Sequence, residues 1–339
     1  MTERLLLTGA GGSIGCHALV HFLHNTDWTI VATDSFRHKG LTDRIAAVLD
    51  GHPEYRSRVT VITHDLTVPF SDMMLKRIGA ADYIVNVASL SDVHDSIVNP
   101  VPFVRDNVAM QLNVLELSRR IEPKMFLHVS TDEVYGPTDG EHRHAEWSPI
   151  IPSNPYSASK ASQEAICISY WRTYGVPLVT VNLMNNFGEM QNPSKFPAIV
   201  QRKVRRGEPV TIHVGPDGKP GTRWYIHSRN SADAMLFVLR NVQTSPKNQV
   251  RHFTERFNVV GDRQIDNLSL AEMIAGYIGK SLLHEFAPAD ESRPGHDAHY
   301  GLDGSKLAAL GWKSPMSLED SMRNTVRWYE DNPEWLEAR

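Results

Sequence analysis

Short apolar runs alternate with amphipathic segments along the first part of the chain, and no other feature restricts the fold as strongly. The apolar runs lie at 4–8, 28–33, 59–63, 83–87, 125–129 and 177–182. Helical periodicity fills the intervals at about 13–24, 41–50, 71–78, 100–121 and from Tyr156 onward. Parallel strands need a long crossover connection, which a helix provides. The alternation therefore predicts an α/β fold in which helices cover both faces of a parallel sheet.

The pattern becomes less regular after residue 182. Asn, Gly and Pro are frequent in 185–197 and 215–223, which predicts loops there. Shorter elements follow at about 229–241, 256–260, 269–279, 282–286, 304–310 and 317–330. We predict one domain from 1–182 and about 226–262, interleaved with a smaller α/β domain from 183–225 and 263–339.

Composition narrows the class of protein. The chain has 339 residues, of which 41% are hydrophobic, so it can bury a large core. The net charge is −4 and no long basic run occurs, so we predict no nucleic-acid partner. No apolar run reaches the roughly 18 residues of a membrane span, so we predict no membrane association. The two cysteines, Cys16 and Cys167, cannot form a disulfide framework, which favours a reducing compartment and predicts a cytoplasmic protein.

A glycine motif, G-x-x-G-x-x-G, stands between the first apolar run and the first helix. Gly9 allows a tight turn, Gly12 allows the backbone to approach a pyrophosphate, and Gly15 allows close packing of helix on strand. Ser13 and Ile14 open the helix, whose N-terminal amide groups and dipole favour phosphate. The motif predicts a dinucleotide site on a Rossmann-type, doubly wound parallel sheet.

Acidic residues after the second and third apolar runs bear on the choice of dinucleotide. Asp34 follows the motif by about twenty residues, where a carboxylate binds ribose hydroxyls and repels a 2′-phosphate. We therefore predict NAD, although Arg37 is close enough to leave NADP open. Asp65 and Leu66 are predicted to lie near the adenine; the alternative for Asp65 is a helix cap or turn.

Tyr156 and Lys160 are four residues apart, so on a helix they share a face. A phenol has a pKa near 10 and is a poor base at neutral pH. A nearby ammonium favours the phenolate, so we expect Lys160 to lower the pKa of Tyr156. Such a Tyr can accept a hydroxyl proton while hydride leaves the same carbon. The alternative is an ordinary amphipathic helix, since the spacing is common.

Two adjacent carboxylates, Asp132 and Glu133, follow the fifth apolar run directly after Thr131. Ligands bind at the carboxyl ends of strands in open α/β sheets, which argues against a mere solvated turn. One carboxylate can remove a proton while the other protonates a leaving group, provided that their environments separate their pKa values. Together with the Tyr/Lys pair, these residues predict oxidation followed by elimination.

The motifs resemble those of the extended short-chain dehydrogenase/reductase family, and specifically its nucleotide-sugar 4,6-dehydratases, typified by dTDP-glucose 4,6-dehydratase. The resemblance covers nearly the whole chain. It rests on the glycine motif, S-T-D-E-V-Y-G at 130–136, S-N-P-Y-S-A-S-K at 153–160, N-x-x-N-N-F-G at 182–188 and R-P-G-H-D at 293–297. The Asp-Glu pair after Thr is its most specific part, because related epimerases generally lack it and decarboxylases usually keep only the Glu.

The resemblance implies a catalytic set of Thr131, Asp132, Glu133, Tyr156 and Lys160. Tyr156 would take the proton of the sugar 4-hydroxyl while hydride passes from C4 to NAD. Glu133 would then remove the C5 proton, and a neutral Asp132 would protonate the leaving 6-hydroxyl. Hydride returns to C6, so NAD acts as a bound cofactor. Thr131 would orient the sugar.

The resemblance also implies how a nucleotide-diphosphate hexose and NAD are held. The expected substrate-binding residues are Ser91, Asn186, Lys195, Arg223, Arg293 and His296. Ala88 would line the NAD site. Related enzymes pair two long helices between subunits, so we predict a homodimer through 100–121 and 156–174. The sequence has no metal-ligand spacing, and we predict no metal.

The segment after the fourth apolar run departs from the family pattern. Leu90, Asp92 and Asp95 stand where the family commonly has Glu, His and Arg. The two acids would repel a carboxylate, so we predict a neutral or amino-bearing hexose. The alternatives are a 4-epimerase or decarboxylase of the same superfamily and, less favoured, a non-catalytic NAD-binding regulator.

Overall fold

A computed structural model describes residues 2–38, 41–215, 217–244, 253–288 and 299–337. Two predicted substrate-binding residues, Arg293 and His296, lie outside these ranges. Within them, no helix combines the length and the apolar character that crossing a membrane would require.

The described residues form the following strands and helices. The strands are β1 Arg4–Thr8, β2 Thr29–Asp34, β3 Val59–Thr63, β4 Tyr83–Asn86, β5 Met125–Thr131, β6 Leu178–Leu183, β7 Asn185–Phe187, β8 Val210–Val214, β9 Thr222–His227, β10 Glu255–Val259, β11 Gln264–Asp266 and β12 His284–Pro288. The helices are α1 Ser13–Asn25, α2 Thr42–Gly51, α3 Asp72–Ile78, α4 Val93–Val98, α5 Pro100–Ile121, α6 Pro155–Tyr174, α7 Phe196–Arg206, α8 Ser228–Asn241, α9 Asn267–Ile278, α10 Ser305–Ala309 and α11 Leu318–Asp331. Short 3-10 helices lie at Pro53–Arg58, Asp132–Tyr135 and Pro333–Leu336.

Seven parallel strands form the central sheet in the order β10-β6-β5-β4-β1-β2-β3. Successive residues of β1 point to opposite faces: Leu5 and Leu7 enter the core beneath α1 and α8, and Leu6 enters the core beneath α5 and α6. Burial on both faces explains why the strands are continuously apolar. The predicted doubly wound α/β fold is confirmed.

Two small sheets stand apart from the central one. One has the order β11-β9-β7, and the other pairs β12 with β8. Their core joins α7, α9 and α11 around side chains such as Val200, Leu270 and Met322. The division into two domains at the predicted boundaries stays a prediction.

The predicted loop 185–197 was only partly right. It contains β7, and α7 begins at its end, at Phe196. The second predicted loop, 215–223, gives way to β9 at Thr222. Three-residue strands are too short to show a periodicity, and β7 forms because Asn185–Phe187 pairs with β9. The helix α4 was missed because its six residues are too few to show a periodicity.

The carboxyl ends of β1, β2, β4 and β5 meet at one edge of the central sheet. Helix α6 starts beside this edge at Pro155. Asn154, just before the helix, and Ser157, in its first turn, form a capping box. Ser96 of α4 also accepts a hydrogen bond from the Tyr156 backbone amide at 3.2 Å. The start of α6 is therefore fixed in place next to the end of β5.

Candidate active site

The glycine motif forms a compact turn between β1 and α1. Gly9 has a φ of +68°, and the Gly12 amide donates to the Gly9 carbonyl at 3.0 Å. A Cβ on Gly15 would lie 1.9 Å from that carbonyl oxygen, so only glycine fits. Helix α1 begins at Ser13 and Ile14 without a side-chain cap and without an acidic residue in its first turn. Its N-terminus fits the pyrophosphate of a dinucleotide.

Asp34 faces this turn from the end of β2. One carboxylate oxygen accepts the Gly11 amide at 3.0 Å, and the other accepts the Phe36 amide at 3.0 Å. Arg37 forms an ion pair with Asp65. Because that ion pair engages Arg37, the acidic side chain of Asp34 dominates the expected ribose site.

Asp65 also accepts hydrogen bonds from the backbone amide and hydroxyl of Thr67, at 3.0 and 2.8 Å. It therefore forms the turn that was the alternative interpretation, and its contact with adenine stays a prediction. Leu66 is buried beside it. Ala88 packs directly on the glycine turn, since a Cβ on Gly9 would lie 2.8 Å from the Ala88 nitrogen.

Tyr156 and Lys160 both lie buried on the first turns of α6. The Lys160 ammonium donates to the Val129 carbonyl at 2.8 Å and to Gln163 Oε1 at 2.6 Å. Burial lowers the pKa of Lys160 to about 8. The expectation that Lys160 lowers the pKa of Tyr156 is wrong for this structure: burial, followed by the charges of Glu133 and Asp132, raises the pKa of Tyr156.

Thr131, Asp132 and Glu133 turn from β5 into the 3-10 helix. The Thr131 hydroxyl donates to Asp132 Oδ1 at 2.9 Å, accepts the Glu133 amide at 3.4 Å, and hydrogen-bonds with Tyr156. Burial and then the charge of Glu133 raise the pKa of Asp132 to about 7. Its second oxygen, Oδ2, is buried without a hydrogen-bond partner. A protonated Asp132 suits this environment, because a neutral carboxyl avoids the cost of a buried charge.

Glu133 lies beside Asp132 but in a different environment. It is partly exposed, and its Oε2 accepts a hydrogen bond from Asn154 Nδ2 at 3.2 Å. Sequence reasoning missed Asn154, although its position before Pro155 and a helix is typical of a capping residue. The structure therefore brings the predicted catalytic residues together and gives the two carboxylates different surroundings.

Arg223 of β9 approaches Asp132. It is buried, lies over the ring of Tyr300 at 5.0 Å, and its charge lowers the pKa of Asp132 against the larger effect of burial. Asn186 is more constrained than predicted: its amide donates to the Met184 carbonyl at 2.9 Å and accepts from the Ser231 hydroxyl at 2.7 Å. Its contact with a pyrophosphate stays a prediction.

The segment that departs from the family pattern lies around the start of α4. Asp92 caps this helix by accepting the Asp95 amide at 3.1 Å. It also lies 4.0 Å from the ammonium of Lys195, which stands just before α7. Ser91 and Asp95 are exposed. An ion pair thus joins Asp92, a predicted specificity position, to Lys195, a predicted substrate-binding residue.

A buried cluster of His17, Glu189 and His227 was missed at the sequence level, because its members are far apart in sequence. The Nε2 atoms of both histidines lie 3.0 and 2.9 Å from Glu189 Oε2, close enough for three metal ligands. A hydrogen bond assigns a proton to Nε2 of His227, and the raised pKa of His17 keeps a proton on its Nε2 as well, so neither nitrogen is free for a metal. His227 Nδ1 accepts the Arg229 amide, so its Nε2 carries the proton, and His17 Nδ1 lies 2.7 Å from the Ser13 carbonyl, to which it donates.

The charge of this cluster depends on the neighbours of His17. Burial opposes an imidazolium at His17, but the neighbouring Cys16 and Glu189 outweigh it and raise the pKa of His17 to about 10. The histidines hold the pKa of Glu189 well below its usual range despite burial. We interpret the cluster as an ion pair that links α1 to the segment after β7 and to the start of α8.

Comparisons with known proteins agree with this site. The model of the NAD dependent epimerase/dehydratase family matches residues 5–259. The chain is 33% identical over 327 residues to the low-salt glycan biosynthesis protein Agl12 of Haloferax volcanii, covering 96% of this chain and 98% of that protein. It is 30% identical over 350 residues to a dTDP-glucose 4,6-dehydratase of Xanthomonas campestris, covering 98% of this chain and 95% of that protein.

A solved structure gives the same result at the level of the fold. The dTDP-glucose 4,6-dehydratase of Streptomyces venezuelae, crystallised with NAD, superimposes with a TM-score of 0.86 at 27% identity and covers 99% of both chains. The predicted family and its NAD dependence are confirmed by the match over 5–259, which includes the glycine turn and all five predicted catalytic residues. The chain belongs to the NAD dependent epimerase/dehydratase family.

Proposed function

We propose that this chain is a hydro-lyase, a nucleotide-sugar 4,6-dehydratase that uses bound NAD to convert a nucleotide hexose into its 4-keto-6-deoxy derivative. The observation that carries the proposal is Asp132, a buried carboxyl whose pKa is raised to about 7 beside the partly exposed Glu133. Epimerisation at C4 needs no acid directed at the 6-hydroxyl. A neutral acid and a carboxylate base side by side suit elimination of water.

The first half of the reaction depends on α6. When bound, NAD accepts a hydride and later returns it. Because burial raises the pKa of Tyr156, its phenol must first lose a proton, which the positive charges of Lys160 and of the oxidised cofactor would favour. The phenolate of Tyr156 then takes the proton of the sugar 4-hydroxyl as that hydride leaves, and Thr131 holds Tyr156 through its hydroxyl. Lys160 keeps its proton at neutral pH because its pKa is about 8, so it supplies a positive charge one helical turn away.

The second half depends on the end of β5. Oxidation at C4 acidifies the hydrogen on C5, which Glu133 removes as a base. Glu133 returns this proton to C5 when C6 receives the hydride, so the 4-keto-6-deoxy product is complete. Asp132 donates a proton from its unpartnered Oδ2 to the 6-hydroxyl, which departs as water. Arg223 lies close enough to Asp132 to stabilise the carboxylate that this donation leaves behind.

We also propose which residues of this site bind the diphosphate and the hexose of the substrate. Arg223 and Lys195 offer positive charge for a diphosphate, and Ser91 offers an exposed hydroxyl. Asp92 favours a neutral or amino-bearing hexose over a hexuronic acid, because it would repel a carboxylate. Its ion pair with Lys195 reduces this repulsion without removing it.

The test is incubation of the NAD-loaded protein with dTDP-, UDP-, CDP- and GDP-hexoses and the matching hexuronates, followed by mass spectrometry. We expect loss of one water from at least one hexose, and no product from the hexuronates. A product of unchanged mass would indicate a 4-epimerase, and loss of carbon dioxide a decarboxylase. Either result would reject the dehydratase.

We also propose that the protein is a homodimer through α5. Of the residues predicted for this interface, Val114 and Trp171 are buried within the subunit, but Leu112 is exposed. Val101 and Val104 extend the same exposed apolar surface. Light scattering should give a dimer for the wild type and a monomer for V101D/V104D, whereas a monomeric wild type would reject the interface.

A cytoplasmic location is the remaining proposal on the setting of the enzyme. Cys16 and Cys167 are both free and buried, which suits a reducing compartment. Cell fractionation in the source organism should recover the protein with cytoplasmic markers, and recovery with exported proteins would reject this location.

A further inference from the structure

Three successive turns of α6 carry Tyr156, Lys160 and Glu164, and the mechanism above uses only the first two. Glu164 is fully buried. Its place four residues after Lys160 puts all three side chains along one face of the helix. A buried carboxylate needs hydrogen-bonding or charged partners. The partners of Glu164 lead to the segment that bears Asp132 and Glu133.

One oxygen of Glu164 reaches the start of that segment. Its Oε1 accepts a hydrogen bond from Asn182 Nδ2 at 2.8 Å. The same amide group donates its other hydrogen to the Thr131 carbonyl at 3.0 Å. Thr131 is the last residue of β5 and precedes the 3-10 helix. Asn182 therefore connects Glu164 to the residue from which Asp132 and Glu133 project.

The other oxygen reaches the end of the same segment. Glu164 Oε2 accepts from the Arg256 guanidinium at 2.6 Å, and both side chains are almost completely inaccessible to solvent. Arg256 also donates to the Tyr135 hydroxyl at 3.3 Å and to the Glu146 carbonyl at 3.1 Å. Tyr135 is the last residue of the 3-10 helix.

The segment between these two anchors has little internal support. The four-residue helix Asp132–Tyr135 is closed by a hydrogen bond of 3.3 Å from Gly136 to Glu133. Short 3-10 helices are weak alone, so external contacts decide their position. We propose that Glu164 is a positioning residue, which fixes both ends of the acid–base segment to the helix that carries Tyr156 and Lys160. This role in catalysis rests on the proposed dehydratase function.

The physical part is tested without substrate, by hydrogen exchange of the NAD-bound protein. E164Q keeps the size of the side chain but replaces one acceptor oxygen by an amide group that donates. This group would face Asn182 or Arg256, which are themselves donors. We expect the Glu133 and Gly136 amides to exchange about tenfold faster or more. The matched control is V238A, which removes methyl groups from the core of α8 and should destabilise the protein without a selective change at these amides.

A second variant separates positioning from stability. E164Q alone leaves Arg256 buried without its carboxylate, which lowers stability. The double variant E164Q/R256M removes the charge as well, so we expect stability near that of the wild type while Glu133 and Gly136 still exchange fast. Exchange at wild-type rates in a stable double variant would overturn the proposal.

The catalytic part is tested by the partition between oxidation and elimination. With a nucleotide hexose that the wild type dehydrates, the double variant should slow elimination at least tenfold more than it slows oxidation at C4, where only the charge of Glu164 near Lys160 is lost. Enzyme-bound NADH should therefore accumulate, whereas V238A should show none. Equal slowing of both steps would overturn the positioning role. If the wild type dehydrates no nucleotide hexose, the proposed function fails, while the exchange result still decides whether Glu164 positions the segment.

Discussion

The glycine turn and the acid–base segment lie at the same edge of the sheet but are built on different physical principles. In the turn, the absence of side chains is decisive, since a Cβ on Gly15 would overlap the Gly9 carbonyl. In the segment and at Tyr156 beside it, buried ionisable side chains are decisive, since Asp132 and Tyr156 have raised pKa values. The first region is steric and local, whereas the second is electrostatic and depends on distant residues.

The largest effect should come from breaking the steric region. Gly15→Ala places a methyl group where no space exists, so we expect loss of bound NAD and a destabilisation of about 3 kcal/mol or more. The matched control is Gly276→Ala in α9, where a Cβ contacts nothing within 4 Å. That change should be neutral or slightly stabilising. NAD recovered from denatured protein and thermal unfolding measure both, and normal NAD content in Gly15→Ala would contradict the steric account.

A second prediction divides the electrostatic region into its two chemical roles. Tyr156→Phe should slow hydride transfer by roughly 10²- to 10⁴-fold, so no NADH should appear with substrate. Glu133→Gln should slow elimination by a similar factor but allow oxidation, so enzyme-bound NADH should accumulate. Absorbance of bound NADH in single turnovers distinguishes them. Near-normal dehydration by Glu133→Gln would show that another group is the base.

A third prediction uses pH. Because burial raises the pKa of Asp132 to about 7, elimination should fall about tenfold per pH unit above that value, as the acid loses its proton. Asp132→Asn should be slow at every pH and lack this limb, whereas the control Asp72→Asn, exposed on α3, should retain it. An identical limb in Asp132→Asn would assign it to another residue.

The raised pKa of Asp132 also makes the stability of the folded protein depend on pH. A carboxyl whose pKa is higher in the folded state favours folding below its unfolded pKa of 3.8, and that contribution is lost as pH rises through about 7. Asp132→Asn should therefore gain stability relative to the wild type over this range. Parallel stability curves would contradict the raised pKa.

The cluster of His17, Glu189 and His227 takes no part in the proposed reaction, so substitutions there should affect activity least. Their effect should appear in the pH dependence of stability. The pKa of His17 is raised to about 10, so its contribution to stability is complete below 6.5 and is lost as pH rises towards 10. Wild-type stability should fall over this range by up to about 5 kcal/mol more than that of His17→Asn, since one pKa unit corresponds to about 1.4 kcal/mol. His284→Asn, an exposed control, should follow the wild type. Equal pH dependence in all three would exclude a charged His17.

The two regions also differ in how far the sequence alone could predict them. Gly9, Gly12, Gly15 and the Tyr156/Lys160 pair are defined by spacing within one turn or helix, so their positions followed from the pattern. The sequence could not predict that the Lys160 ammonium points towards Val129 and Gln163, because this direction depends on contacts in the folded chain.

Contacts between distant residues were equally invisible. Glu164 meets Arg256 across 92 positions, and His17 meets Glu189 across 172. The hydrophobic periodicity of a sequence reports only local structure and cannot predict such pairs. Short elements such as β7 and α4 were missed for a different reason, since their packing against neighbouring elements, not local propensity, makes them form.

The central claim is that one active site carries out oxidation, elimination and reduction in sequence. The most direct test uses a nucleotide hexose that carries deuterium at C4, incubated with the NAD-loaded protein. We predict a product that has lost water and carries the deuterium at C6, because the hydride removed from C4 returns to C6. Deuterium that remains at C4 in a product of unchanged mass, or that is absent from C6 of a dehydrated product, would contradict the account.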